Sequence, residues 1–372
     1  MKFKEDWDKC KARFDAFWEG EIIDRCVTSV LTPRKNTIDV EVEHITAKNL
    51  EEKWLDCKYR YSQAIHSFAN TYFGGEAFPN FQINLGPGVV ASYMGASYTL
   101  QEGTVWFGQE PFPSDWDSLF KLALDEQSIM WEVTNQMLDF FTSRANGDYM
   151  VCNTDLGGTL DIAASFRGTQ RLLTDLYDYP DETCIFRDKI DDIWLACYNR
   201  VQDVINKFQD GSTDWYPTWC REKRSYSIQC DFCAMISPAQ FEKFVQPSII
   251  RQAEAMDRAI YHLDGPGQIP HIDHLLDINK LDGIQWVPGS GNPGGCDEKW
   301  YPLYQKIQSK GKKLIITSVE NDKIEKLLDN ISIKGVFLQT SCETEEDAKH
   351  LLALIEKLSV KRLGCRKQRG YI

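Results

Sequence analysis

The chain has 372 residues, 42% hydrophobic and 26% charged, an ordinary globular composition. A net charge of −13 disfavours nucleic acid and anionic lipid as partners. No apolar run approaches the ~20 residues that span a bilayer, and the N-terminus lacks a signal-peptide core. The twelve cysteines are scattered from Cys10 to Cys365, as expected of free thiols in a cytoplasmic enzyme.

In chain order, an amphipathic helix is predicted near Asp6–Trp18, a short β run over Cys26–Leu31 and a helix from Leu50 to about Tyr72. These form an expected N-terminal extension, residues 1–80, packed on a main domain of residues 81–372. After Phe81 the alternation becomes regular. Strands are predicted at Phe81–Leu85, Met150–Asp155, Ser225–Cys230, Ala259–Leu263, Gly283–Val287, Lys313–Ser318 and Gly335–Thr340, with Thr104–Phe107 as a weaker eighth. Helices are predicted between them at Trp116–Ser143, Gly168–Tyr177, Glu182–Gln209, Pro238–Asp257, Trp300–Lys310, Asp322–Asn330 and Glu345–Leu358. About eight parallel strands, most followed by a helix, predict an α/β fold of the TIM (β/α)8 barrel type, whose active site gathers at the C-terminal strand ends. Those ends carry Asn153 and Asp155, Cys230 and Asp231, His262 and Asp264, Gln285 and Trp286, Thr317 and Ser318, then Gln339 through Cys342. They are far more polar than the strand interiors.

His262 and Asp264 stand two apart near a strand end, so their side chains share a face. Imidazole serves as a metal ligand or an acid/base group, and a carboxylate beside it ligates or orients the ring. The blander reading is a satisfied histidine followed by the turn Asp264-Gly265-Pro266-Gly267. Cys342, in LQTSCETEED, stands where a thiol meets a helix start, or belongs to a capping loop rich in acids. Cys230 and Cys233 form a Cys-x-x-Cys pair, but a structural zinc site needs two further ligands. His271 and His274 fall one helical turn apart, a spacing more often met in helix decoration. The glycine-rich loops Leu85–Val90 and Val287–Gly295 match neither phosphate-binding pattern. They read as mobile strand-end loops over a pocket, which disfavours a nicotinamide or nucleoside-triphosphate enzyme.

Several of these segments together resemble the uroporphyrinogen decarboxylase superfamily. They are an acidic strand end at Asp231, the helix start Ser237-Pro238, a later Pro247, the strand end His262-Leu263-Asp264-Gly265 and the start Leu281-Asp282-Gly283. The run Val105–Pro111 and the loop and helix Thr340–Leu358 look similar too. The resemblance is nearer to the corrinoid-linked methyltransferases than to the decarboxylase, whose Arg-bearing substrate loop has no counterpart in residues 1–80. It implies a TIM-barrel-like domain and zinc held by a His-x-Cys motif and a later Cys. The zinc lowers the pKa of a substrate thiol that accepts a methyl group from a corrinoid protein. By position His262 and Cys342 match, and Asp264 stands where the family keeps Cys. A His262/Asp264/Cys342 zinc site is thus expected, harder than a thiolate-rich one.

The expected function is methyl transfer between a small organic substrate or thiol and a separate corrinoid protein, since no Asp-x-His-x-x-Gly motif occurs in the chain. His262, Asp264 and Asp231 are the expected catalytic residues; Asp155, Asn153, Gln285, Trp286 and Gln339 are expected to bind substrate. The alternative is a metal-free lyase or hydrolase on the same barrel, acting on a small polar substrate with His262 as acid/base.

Overall fold

The computed structural model describes residues 1–108 and 115–368. Gln109, Glu110 and Pro111 of the family-like run lie outside the described residues. The strands are β1 Val27–Pro33, β2 Thr71–Gly75, β3 Asn80–Gln82, β4 Tyr98–Leu100, β5 Val105–Phe107, β6 Met150–Cys152, β7 Ser225–Ile228, β8 Arg258–Asp264, β9 Gly283–Val287, β10 Lys313–Ile316 and β11 Val336–Ser341. Seven make one sheet in the order β2-β1-β11-β10-β9-β8-β7. Every neighbouring pair in it is parallel except β1 with β2. β3 and β6 form a separate parallel pair, while β4 and β5 form an antiparallel hairpin. The fold is therefore α/β with a mostly parallel central sheet. Among the described residues its hydrogen-bonded ladder does not close into a ring.

Two expectations change here. The run Thr104–Phe107, taken as a weaker barrel strand, belongs to the hairpin. The first 80 residues also supply strands to the sheet itself, with β1 paired along β11 from Val27↔Phe337 to Leu31↔Ser341. Three predicted helices are interrupted. Trp116–Ser143 becomes Trp116–Leu119 and Ile129–Ala145, the second capped by Ser128. Leu50–Tyr72 breaks at Asp56, whose carboxylate accepts the Tyr59 N–H and caps the second piece. Pro238–Asp257 breaks at Val245, because Pro247 restarts the helix in its first turn.

Register divides the sheet into two faces. Val27, Phe337, Ile315, Gln285 and His262 are successive ladder partners and share one face. Leu338, Ile316, Trp286 and Leu263 share the other. At the strand starts the first face is dry: Phe14, Phe17 and Trp18 of the helix Trp7–Trp18 pack with Val27, Ile260, Ile315 and Phe337. Toward the strand ends the same face turns polar, and this is where the site lies.

Candidate active site

β8 presents His262 and Asp264 on the polar end of that face. The His262 ring is buried, and its Nδ1 meets Gln285 Oε1, its ladder partner on β9. With the amide oxygen toward the ring, Nδ1 carries the proton and the Nε2 lone pair is left free. Nε2 lies 4.0 Å from Asp264 Oδ2. Trp215 stands edge-on to the imidazole at 5.1 Å, and Tyr216 covers it at 5.3 Å. Behind them Trp215 Nε1 donates to the Ser227 carbonyl (3.0 Å), and Ser227 Oγ donates to Asp214 Oδ2 (2.6 Å). The connection before β7 thus fills this face and holds the ring.

Asp231 begins the short turn after β7. Ligand atoms of Asp231, His262 and Asp264 all lie within 4.8 Å of one another. Gln268 Nε2 donates to Asp231 Oδ1 (3.3 Å) while its own oxygen accepts the Tyr261 hydroxyl (3.1 Å). The Asp231 carboxyl is reached by solvent yet recessed in the cleft. Burial, and then Asp264, raise its pKa against the pull of His262 and Gln268. Gly265 follows Asp264 with φ +78°, a backbone state suited to glycine, and turns the chain out of the strand.

A cavity of about 490 Å³ opens beside this cluster and includes Asp231 in its wall. His262 and Asp264 lie outside that wall, so Asp231 links the two. Its floor runs along Gly157 and Gly158, where the chain admits no side chain. A Cβ on Gly157 would stand 2.4 Å from the Gly88 Cα, and one on Gly158 would stand 2.3 Å from Asp161 Oδ2. Asp161 accepts the backbone N–H groups of Phe232 (2.7 Å) and Asp231 (3.0 Å). Burial, and then the neighbouring Asp231, push its carboxyl up to about 7. Asp155 is also pushed up to about 7, chiefly by burial, although Gly157 N–H and Gln229 Nε2 donate to it at 3.0 and 2.7 Å.

The expected site residues separate. Asp231, His262, Asp264 and Gln285 come together, Asp155 lies behind the cavity wall, and Gln339 shares the face of Phe337, half-buried. Trp286 does not join them. One residue past Gln285, it points to the opposite face and packs against Trp300 at 4.9 Å, fully buried. Asn153 does not either: its amide is spent on the Tyr198 carbonyl and the Thr154 N–H. Of the expected His262/Asp264/Cys342 set, His262 and Asp264 fall in the cluster with Asp231, and Cys342 is not part of that cluster. Cys342 follows β11, accepts from Asn321 Nδ2 at 3.5 Å, and its pKa is raised by burial and Asp347. Cys230 and Cys233 are buried free thiols. His271 is a core histidine, stacked on Phe241 at 4.5 Å with Nε2 on the Cys233 carbonyl. Pro87 and Gly88 of the first glycine-rich loop line the cavity, and Gly289 of the second approaches Asp264.

Sequence reasoning missed Asp161, Gln268, Trp215 and Tyr216. Asp161 left a signal, an acid in the first helical turn after Gly157-Gly158; the aromatic pair, in a connection without regular structure, left none.

No family model and no curated protein matches the sequence. Among solved structures, a methyltransferase from Methanosarcina mazei matches with a TM-score of 0.58 at 14% identity, over 94% of this chain and 98% of that one. A B12-independent methionine synthase from Shewanella sp. W3-18-1 matches with a TM-score of 0.39 at 7% identity, over 93% and 100%. Among the described residues no helix is long and apolar enough to cross a membrane. What the first likeness establishes is the fold, which this chain shares with that structure over 94% of its length.

Proposed function

We propose that the protein is a methyl-transfer enzyme on a (β/α)8 barrel completed by β3 and β6, moving a methyl group between a small organic substrate and a separate corrinoid protein. The observation that carries this reading is the convergence of Asp231, His262 and Asp264 at the strand ends of a methyltransferase-like fold. A divalent cation, zinc by the family resemblance, fits the three side chains. Two carboxylates and an imidazole are an acceptable donor set for it, and the ring is held with Nε2 toward the carboxylates. When bound, such an ion supplies Lewis acidity toward a heteroatom of the substrate.

The side chains supply the rest. Gln285 sets the tautomer and direction of His262. Gln268 restrains Asp231, and Trp215 and Tyr216 exclude water from one side of the ring. Gly157 and Gly158 let the Gly88 loop and Asp161 pack closely beneath the cavity. Without a thiolate among the three donors, the site suits activation of an oxygen- or nitrogen-bound methyl group better than release of a soft thiolate.

The test is methyl transfer to free cob(I)alamin, followed by its visible absorbance, with zinc-loaded, chelator-treated and His262→Ala protein. Turnover with a methylated alcohol, ether or amine that needs both the metal and His262 supports the reading. Turnover indifferent to His262, or none with any of the three donor classes, overturns it.

A further inference from the structure

We propose that Asp214 is a positioning residue for His262, acting through a pinched loop, residues 212–220, that lies at the gap between β6 and β7; the inference rests on His262 being a working group of the proposed site. Among the described residues no strand ladder joins β6 to β7, and side chains cross where the backbone does not. The Tyr226 hydroxyl of β7 accepts the Leu156 N–H (2.8 Å) and donates to the Thr154 carbonyl (3.0 Å), both just past β6. Gln209 takes the place of a neighbouring strand along β6, accepting the Val151 N–H at 2.9 Å and donating to the Val151 carbonyl at 3.1 Å. The loop comes next. Paired bonds of 2.9 and 3.0 Å between the Ser212 and Cys220 backbones close its neck. Trp18 Nε1 donates to the Trp219 carbonyl beside that neck (2.8 Å).

With the neck fixed, Asp214 ties the rest of the loop to strands on either side. Its backbone carbonyl accepts Asn80 Nδ2 of β3 (3.0 Å), and its carboxyl accepts Ser227 Oγ of β7 (2.6 Å). The Ser227 carbonyl takes the Trp215 indole N–H (3.0 Å), so one fully buried serine holds two consecutive loop residues. Trp215 and Tyr216 then meet the His262 ring at 5.1 and 5.3 Å. Gln285 fixes one nitrogen of that ring, and a ring held at one atom can still swing about it. The aromatic pair removes that freedom, because packed rings leave no room for the imidazole to turn. The pair is in turn only as rigid as the residues that anchor it. What the Asp214 carboxyl supplies is a buried acceptor for Ser227, which an amide oxygen supplies as well.

The test uses the full chain, labelled with heavy nitrogen, and reads the His262 ring signals in metal-free protein at about pH 8, above the usual imidazole range. Those signals are identified by their loss in His262→Ala, and competitive zinc titration is run on the same samples. The expected wild-type ring is a single tautomer, protonated at Nδ1. Asp214→Ala, which deletes the acceptor, mixes the two tautomers and weakens zinc binding about tenfold or more, as loss of support to a ligating histidine does. Asp214→Asn, which keeps the acceptor, retains the single tautomer and most of the zinc affinity. Near-UV circular dichroism reports whether Asp214→Ala is folded. Where it is not, Ser227→Ala, which removes the hydroxyl at the other end of the tie, is read in its place. A wild-type tautomer in the folded variant overturns the inference, and so does Asp214→Asn as damaging as Asp214→Ala, or wild-type protein that already mixes tautomers. Mixed tautomers in the variant with zinc bound as in wild type, or wild-type protein that takes up no zinc, sink the metal reading and leave the positioning role to the tautomer alone.

Discussion

Gln285→Leu separates two roles that one amide plays. In the wild-type protein Gln285 Oε1 is the acceptor for His262 Nδ1, while Nε2 is buried with no partner. The Tyr216 hydroxyl neighbours the same amide, which lowers its pKa against the larger rise from burial. Leaving a buried polar group unmet costs about 1–3 kcal/mol. Leucine, of similar volume, removes the unmet Nε2 but strands the His262 N–H, and the two changes are of the same size and opposite sign. Stability of the metal-free protein should therefore move by less than about 1 kcal/mol. Metal affinity should not be spared, because the partner of a ligating histidine fixes its ring and basicity, and its loss typically costs 10–100-fold. Urea denaturation of chelator-treated protein reads the first quantity, and competitive zinc titration reads the second. A variant that keeps wild-type zinc affinity within about twofold would refute the claim that Gln285 directs Nε2 toward a metal.

Two further outcomes follow from burial. Asp214 is 2% exposed and burial pushes its carboxyl from 3.8 up to about 7, so between those values the folded protein holds a proton that the unfolded chain has lost. Its contribution is present below pH 4 and is lost as pH rises through 7, by at most roughly 4 kcal/mol. Denaturation midpoints measured from pH 5 to 8 should fall less steeply for Asp214→Asn than for wild type, and parallel slopes would contradict the assignment. Phe337 is fully buried and meets Phe14 and Phe17 with ring centroids 5.5 and 6.3 Å away. Phe337→Ala should cost about 3–5 kcal/mol in denaturant unfolding, and a loss under 1 kcal/mol would mean the helix Trp7–Trp18 does not pack on the sheet as described.

How much of this was legible depends on the physical signal each residue leaves. Alternation along Ala259–Leu263 was enough to put His262 and Asp264 on one face, because side-chain period in a strand is two. The same rule separates Gln285 from Trp286, but both faces of this sheet are covered. The strand therefore reads as a continuous apolar run that does not announce which residue points to the site. Cys342 was placed by family position, and its distance from His262 is a matter of tertiary arrangement that no local pattern carries. β1 was visible as a short β run; that it lies between β11 and β2 was not, since its partner β11 stands some 300 residues later. Trp215 and Tyr216 lie in an irregular connection, where neither periodicity nor capping marks a role.

Elemental analysis of the purified protein and three variants tests the central claim most directly, that Asp231, His262 and Asp264 form the functional centre. The account predicts close to one equivalent of divalent metal in the wild type and in Cys342→Ser, and its loss in His262→Ala and Asp231→Asn. Metal that disappears with Cys342 and persists without Asp231, or folded wild-type protein that takes up none when offered zinc, would contradict it.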